Sequence, residues 1–270
     1  MKIETISYKG SGKVNEDLFG YKNNTYWVMD GVSPITDKLF LSSTSDASYL
    51  VKHMSYEMNM ILQNTSLDNI QLLKSANKMV RKKIDPHILN YLKNNKFQPS
   101  FTIAILQVDS KYIKINILSD CYVIIKFDNH IEILTDKRIN SISKKTNNVK
   151  QWIKQNNISK ELANKMIYSQ IAQNRSKMNI DYWVGTLDGK AFDHTIEYTF
   201  EKSTIEQILI CTDGFFRVFN YDLVSFDTLF SSEYSLNYFY KVLFQFEEKN
   251  SNEVKKHDDT TAILLKLKEG

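Results

Sequence analysis

Cysteine is nearly absent from this chain of 270 residues, which carries only Cys121 and Cys211. Two cysteines in so long a sequence build no disulfide framework, so the fold must rest on a hydrophobic core. Both sit in apolar runs that read as strands, and both thiols are expected free and buried, as suits a reducing compartment. Proline is as scarce, at three, and glycine stands at eight. No Pro/Gly/Ser-rich linker divides the chain and no repeat recurs at a fixed period, so a single domain over 1–270 is expected. No run approaches the roughly 18 apolar residues of a membrane span. The opening MKIETISYKG has no apolar segment of a secretory signal. The expectation is a cytoplasmic protein with no membrane partner. Charge of one sign is not in excess either: 35 basic against 31 acidic residues leave +4, too little to argue for nucleic acid. The short runs Arg81-Lys82-Lys83 and Lys144-Lys145 read as solvated faces.

What is present is an ordinary globular composition, 42% hydrophobic, with its apolar residues in two periods. Alternating or β-rich segments predict strands at Ile3–Tyr8, Asp17–Tyr21, Thr25–Asp30, Phe101–Val108, Tyr112–Leu118, Tyr122–Phe127, Ile131–Leu134, His194–Phe200, Gln207–Thr212 and Thr261–Leu267. The second and third form a hairpin turning at Lys22-Asn23-Asn24. Spacings of three and four predict helices from Ala47 to Leu62, Leu67 to Ile84, Val149 to Ile153, Lys160 to Ile171 and Leu236 to Phe246. Strands follow strands and helices come in consecutive pairs, which is not the alternation of a parallel doubly wound sheet. Segments such as Ile208-Leu209-Ile210 are apolar on both faces. The pattern predicts an α+β fold: two stacked antiparallel sheets flanked by helices.

The aspartates fall at strand ends. Asp17 opens a strand after Asn15-Glu16, Asp30 closes Trp27-Val28-Met29, Asp213 closes Ile208 to Thr212, and Asp258-Asp259 open the last strand. Carboxylates gathered on one rim repel unless a cation lies between them, and hard oxygen ligands suit Mg(II) or Mn(II). Asp-Gly is also the commonest short turn signal, and Asp188-Gly189 reads as that alone. Asp30-Gly31 and Asp213-Gly214 differ because each follows a buried-looking apolar strand.

In this order along the chain, Gly12-Lys13-Val14-Asn15-Glu16-Asp17, Trp27-Val28-Met29-Asp30-Gly31, Ser100-Phe101-Thr102, Leu118-Ser119-Asp120-Cys121-Tyr122, Ile208 to Gly214 and His257 to Leu265 resemble the motifs of the protein phosphatase 2C family. The resemblance implies a metal-dependent Ser/Thr protein phosphatase acting on phosphoproteins through a water activated by two Mn(II) or Mg(II) ions. It further implies that Asp30 bridges the two ions, the Gly31 carbonyl binds one, and Asp213 and Asp258 hold the other. Glu16 and Asp17 act mostly through waters, and Asp120 with Asp213 offers a third position. Asp259 stands where the family has Asn.

The sequence departs from the family at three places. The substrate-binding Arg four residues before the Glu is replaced by Gly12, with Lys13 as a candidate phosphate contact lacking the bidentate fork of Arg. Val32 stands in place of a His, so no proton donor is expected there. Tyr122 replaces the Arg of Gly-Asp-Ser-Arg. His257 is expected to be a solvated or turn residue. Two other classes therefore stay open: a pseudophosphatase that keeps the fold and binds a partner, and a hydrolase of small phosphoesters.

Overall fold

The computed structural model describes residues 1–32, 38–93, 98–231, 233–250 and 256–268. The strands are β1 (Lys2–Tyr8), β2 (Asp17–Lys22), β3 (Thr25–Val32), β4 (Ser100–Val108), β5 (Tyr112–Leu118), β6 (Tyr122–Phe127), β7 (Ile131–Leu134), β8 (Gly185–Thr186), β9 (Ile196–Glu201), β10 (Ile205–Cys211) and β11 (Thr260–Lys266). The helices are α1 (Asp46–Leu62), α2 (Asn69–Lys82), α3 (Pro86–Lys93), α4 (Asn140–Gln155), α5 (Lys160–Arg175), α6 (Asp213–Asn220), α7 (Phe226–Phe230) and α8 (Leu236–Asn250). One sheet has the order β1-β11-β10-β6-β7. The other has the order β2-β3-β4-β5-β9, with β8 added to β4. Every pairing between these strands is antiparallel. This is the α+β sandwich the sequence predicts.

Strand alternation sorts the core into three layers. Tyr26, Val28, Ala104, Leu106, Ile208, Ile210, Ile263 and Leu265 lie between the sheets. Their neighbours point the other way, as the period of two requires. Trp27, Met29, Ile103 and Ile105 pack against Leu50, Met54, Leu73 and Val80 of α1 and α2. Leu209, Cys211, Ala262 and Leu264 pack against Phe215 of α6 and Phe239 and Leu243 of α8. Covering both outer faces with helices is why the central strands are apolar on both sides. Both helices of the first pair start on side-chain caps: Ser45 accepts from Ser48 N at 3.0 Å, and Asp68 accepts from Gln71 N at 2.8 Å.

Several boundaries differ from expectation, each for a local reason. β3 continues past Asp30 to Val32, because Gly31 and Val32 keep pairing with Phe101 and Ser100. Asp213 does not sit in a turn; Thr212 caps α6 and Asp213 is its first residue. Asp188-Gly189 is a turn, with Gly189 at φ 72°. Cys211 lies in β10, whereas Cys121 precedes β6; both are free and buried.

Gly20 lies opposite Trp27 across the hairpin, and a Cβ there would stand 2.4 Å from indole carbons. The indole cannot retreat: it is fully buried and its Nε1 donates to Ser55 Oγ at 3.0 Å. Gly20→Ala is expected to cost about 1–3 kcal/mol by overpacking, seen as a lower melting temperature. Gly12→Ala, whose new methyl meets nothing nearer than 3.4 Å, is expected to melt like the parent. Indistinguishable melting of all three proteins would refute this packing.

Candidate active site

The inter-sheet face stays apolar along each central strand until one end of the sandwich. On β3 the inward residues Tyr26 and Val28 are followed by Asp30, and on β10 Ile208 and Ile210 are followed by Thr212. Asp17 is the direct cross-strand partner of Asp30, so the two carboxylates share a face. Thr102 flanks Asp30 on its other side.

The two sheets are joined here by one hydroxyl. Thr212 Oγ1 donates to Asp17 Oδ2 at 2.6 Å and accepts from Thr261 N at 3.1 Å. The Thr212 N–H in turn donates to the Thr261 carbonyl at 3.0 Å. Asp17 is 5% exposed, while Asp30, Asp120, Asp213 and Asp258 are half-buried.

Their electrostatics follow from that crowding. Burial pushes the Asp17 carboxyl well above the usual carboxylate range, against the Thr212 hydrogen bond, and repulsion from Asp213, Asp259 and Asp258 adds to the rise. Burial also raises Asp30 well above its ordinary value, reinforced by Asp17, Asp213, Asp120 and Asp258. Asp120 is raised by burial first, with Asp136 and Asp258 adding to it. Five aspartates from distant parts of the sequence thus feel one another at one rim. Among the described residues, however, no three His, Cys, Asp or Glu side chains form a closed set able to hold a metal ion as they stand. The donor chemistry nevertheless fits hard cations: the donors are mutually repelling carboxylate oxygens, and burial raises the neighbouring Cys121 and Cys211 thiols well above their ordinary value, away from the thiolate.

The surrounding loop is held by acidic side chains of a different kind. Asp259 accepts from Gly10 N and Glu16 N, each at 2.7 Å, so both its oxygens serve the segment between β1 and β2. The Glu16 carbonyl accepts from Gly31 N at 3.1 Å, and its side chain accepts from Ser45 Oγ at 2.5 Å. Lys13 is exposed and lines an open cleft of about 240 Å³ together with Glu16, Ser45 and Asp259. Asp120 follows Ser119, which adopts φ 66°. Ser119 stands where the family motif has glycine, and that backbone conformation is the one glycine takes without strain.

His257 is neither solvated nor part of the rim. Its Nδ1 meets Glu247 at 2.9 Å, its Nε2 meets Glu248 at 2.7 Å, and its ring stacks on Phe244. Three residues at the site were given no role by the sequence. Thr212 falls inside a motif segment but reads as an ordinary residue at a strand end. Tyr122 stacks on Phe216 at 3.6 Å, and its phenol is pushed up to about 12 by burial and by Asp120 and Asp213. Arg175, at the end of α5, is buried; burial pulls its pKa down while Tyr182 and Glu16 pull it up. A guanidinium beside Glu16 from a helix so distant in sequence could not be read from spacing.

The raised carboxyls give a signed expectation for stability. A folded-state pKa above the unfolded value means the native state binds the proton more tightly, so that contribution is present below about pH 4 and lost as pH rises through the folded value. At neutral pH these buried carboxyls therefore destabilise the metal-free fold. Asp30→Asn is therefore expected to raise the metal-free melting temperature at pH 7 and to lose that advantage near pH 4, measured by calorimetry in chelator. A variant melting at or below the parent at pH 7 would show that the carboxylates do not strain one another.

No protein-family model matches the sequence, and no curated protein matches it. Solved structures do match in fold. The serine/threonine phosphatase Stp1 from Staphylococcus aureus is similar over 100% of this chain and 95% of that one, at 17% identity and a TM-score of 0.58. The Mycobacterium tuberculosis serine/threonine phosphatase PstP/Ppp is similar over 99% of each chain, at 13% identity and a TM-score of 0.58. The catalytic domain of PstP, solved in complex with 2 manganese ions, is similar at 10% identity and a TM-score of 0.53, over 97% of this chain and 96% of that one. Sandwich topology, acidic rim and structural likeness agree: this chain has the fold of the protein phosphatase 2C family.

Proposed function

We propose that the chain is a metal-dependent hydrolase of phosphoserine and phosphothreonine esters in proteins, folded as one catalytic domain over 1–270. The observation that carries this is the convergence of Asp17, Asp30, Asp120, Asp213 and Asp258 on one rim, each carboxylate within electrostatic reach of others. In this reading Asp30, the Gly31 carbonyl, Asp213, Asp258 and Asp17 hold two Mn(II) or Mg(II) ions. Glu16 contributes through water, and Asp120 with Asp213 offers a third position. Such cations, when bound, acidify a water and neutralise charge on the phosphoryl oxygens.

The chain's own residues prepare and hold that arrangement. Thr212 fixes one oxygen of Asp17 and links the sheets. Asp259 clamps the backbone of Glu16, and Ser45 orients its side chain. Lys13, exposed on the adjoining cleft, supplies a point charge for the substrate phosphate. No protein nucleophile is required, and neither cysteine offers one: burial raises both thiols well above their ordinary value, away from the reactive thiolate. Val32 gives no proton, so the leaving group takes its proton from water.

Hydrolysis of p-nitrophenyl phosphate is expected only with Mn(II) or Mg(II) and is expected to stop with EDTA. Asp30→Asn and Asp213→Asn should each lower kcat by at least about a hundredfold, the scale of losing a major electrostatic stabiliser. Gly12 and Val32, standing where the family has Arg and His, favour the pseudophosphatase as second reading, and absence of turnover under every divalent metal would select it.

Lys13→Ala tests the phosphate contact separately. The expected result is a KM for a phosphothreonine peptide raised about tenfold, the loss of one charged contact, with the metal concentration at half-activity unchanged. An unaltered KM removes Lys13 from the site.

A further inference from the structure

A cleft of about 530 Å³ lies on the helical side of the second sheet, between α2 and the turn after β8. Its walls carry Lys74, Lys78, Arg81 and Lys82 against one carboxylate, Asp188. The spacing of four, three and one puts these cations on one side of α2. Lys74 is ion-paired with Asp193, and Asp188 is engaged by Thr186 Oγ1 at 2.8 Å and Lys190 N at 3.0 Å. Among the described residues Lys78, Arg81 and Lys82 have no ion pair.

Two polar atoms of residues that line this cleft are buried without a hydrogen-bond partner among the described residues: Arg81 Nε and Asn77 Oδ1. Asn77 is 3% exposed. Its Nδ2 donates to the Leu187 carbonyl at 3.3 Å, leaving the carbonyl oxygen of the amide unused. A buried donor and a buried acceptor one helical turn apart are each unfavourable left unmet. The helix C-terminus accounts for cations at Arg81 and Lys82. It accounts neither for Lys74 and Lys78, one to two turns earlier, nor for the orphaned atoms.

We propose that this cleft docks an acidic peptide segment of a partner protein, bearing carboxylate or phosphate groups. The three unpaired cations take its anionic side chains. The apolar part of the lining separates the candidates, because inorganic phosphate brings charge alone, whereas a peptide brings carbon as well. Leu89 and the aliphatic stems of the lysines give the segment an apolar wall.

The position of the cleft gives docking a purpose under the proposed function, on which this part rests. α2 begins at the far end of the sheet, where the Leu67 carbonyl accepts from Gln107 and Asn69 donates to Asn116. It runs toward Leu187, just past β8, which pairs with Ser100 and Phe101. Thr102, the next residue, is the partner of Asp30. A segment held in the cleft is therefore led toward the acidic rim.

The test is fluorescence anisotropy at physiological salt with a labelled peptide of glutamates around one phosphothreonine. The double variant Lys78→Glu/Lys82→Glu is expected to bind it at least about tenfold more weakly, as for loss of complementary charge. The control Lys144→Glu/Lys145→Glu on α4 is expected to bind like the parent, and all three should melt alike. Equal binding by parent and cleft variant overturns the proposal. So does displacement of the peptide by single-stranded DNA as readily as by unlabelled peptide, which marks a general polyanion surface. Hydrolysis adds an independent arm: the cleft variant should raise KM for this peptide and leave p-nitrophenyl phosphate kinetics unchanged. A chain that binds the peptide through the cleft but hydrolyses neither compound keeps the docking site and loses the phosphatase.

Discussion

The acidic end of the sandwich depends on one hydroxyl. Thr212, the residue after β10, is where the inter-sheet core stops being apolar, and its side chain spans to Asp17 of the other sheet. Over most of their shared face the sheets touch through apolar side chains, whose burial has no directional preference and permits sliding. A hydrogen bond from a buried hydroxyl to a buried carboxylate is directional and costly to leave unmade. It therefore fixes the register of one sheet against the other where register matters most. Because Asp17 is also the cross-strand partner of Asp30, the same bond sets where the second carboxylate sits relative to Asp213, the residue after Thr212.

That arrangement concentrates like charge in a place of poor solvation. Asp17 and Asp30 both hold their protons far more tightly than free carboxyls do, and burial is the larger cause in each. A fold selected for stability alone would put apolar or hydrogen-bonded residues at the end of these ladders. Three separate hydrophobic layers let this fold carry the strain, and the rim is then poised for positive charge from outside the chain. Hydrogen bonds to Glu16 and Asp259 organise the loop beside the rim, and the Asp259 carboxylate adds to the repulsion on Asp17.

Much of this was legible in the sequence. Alternation is a two-residue signal and survives without homologues, so the strands at 100–108, 112–118, 122–127 and 131–134 and the helices over 46–62 and 69–82 lie where periodicity puts them. The helix α4 is longer than predicted because its first half is polar; Ile142 is the buried residue it contributes. α6 was hidden because Asp213-Gly214 carries the signature of a turn, and its Phe215-Phe216 pair looks like a strand's continuation. Asp17, Asp30, Asp213 and Asp258 stood out through their places at strand ends, and Asp120 only through the family resemblance. Thr212 and Arg175 were not, since a hydroxyl in a strand and a cation on a polar helix are unremarkable until the chain folds. The basic run at Arg81-Lys82 was read as a solvated face, and only the neighbouring turn at Asp188-Gly189 makes it one wall of a cleft.

Glycine is scarce in this sequence, which makes its positions informative. At Gly214 an added Cβ would lie 1.9 Å from the Asp259 carbonyl oxygen and 3.2 Å from the Asp258 side chain. The first turn of α6 is thus pressed directly onto the backbone that leads into β11. No flexible neighbour can yield there, because the atom in the way is main chain. Any side chain at 214 would push α6 away from residues 258–259 and carry Asp213 with it. Asp259 would then pull on Gly10 and Glu16 through its two hydrogen bonds. The Asp-Gly pair that looks like a turn in sequence is therefore a contact requirement: aspartate supplies the charge at the rim, and glycine lets two backbone segments come close enough for Asp213 and Asp258 to share it.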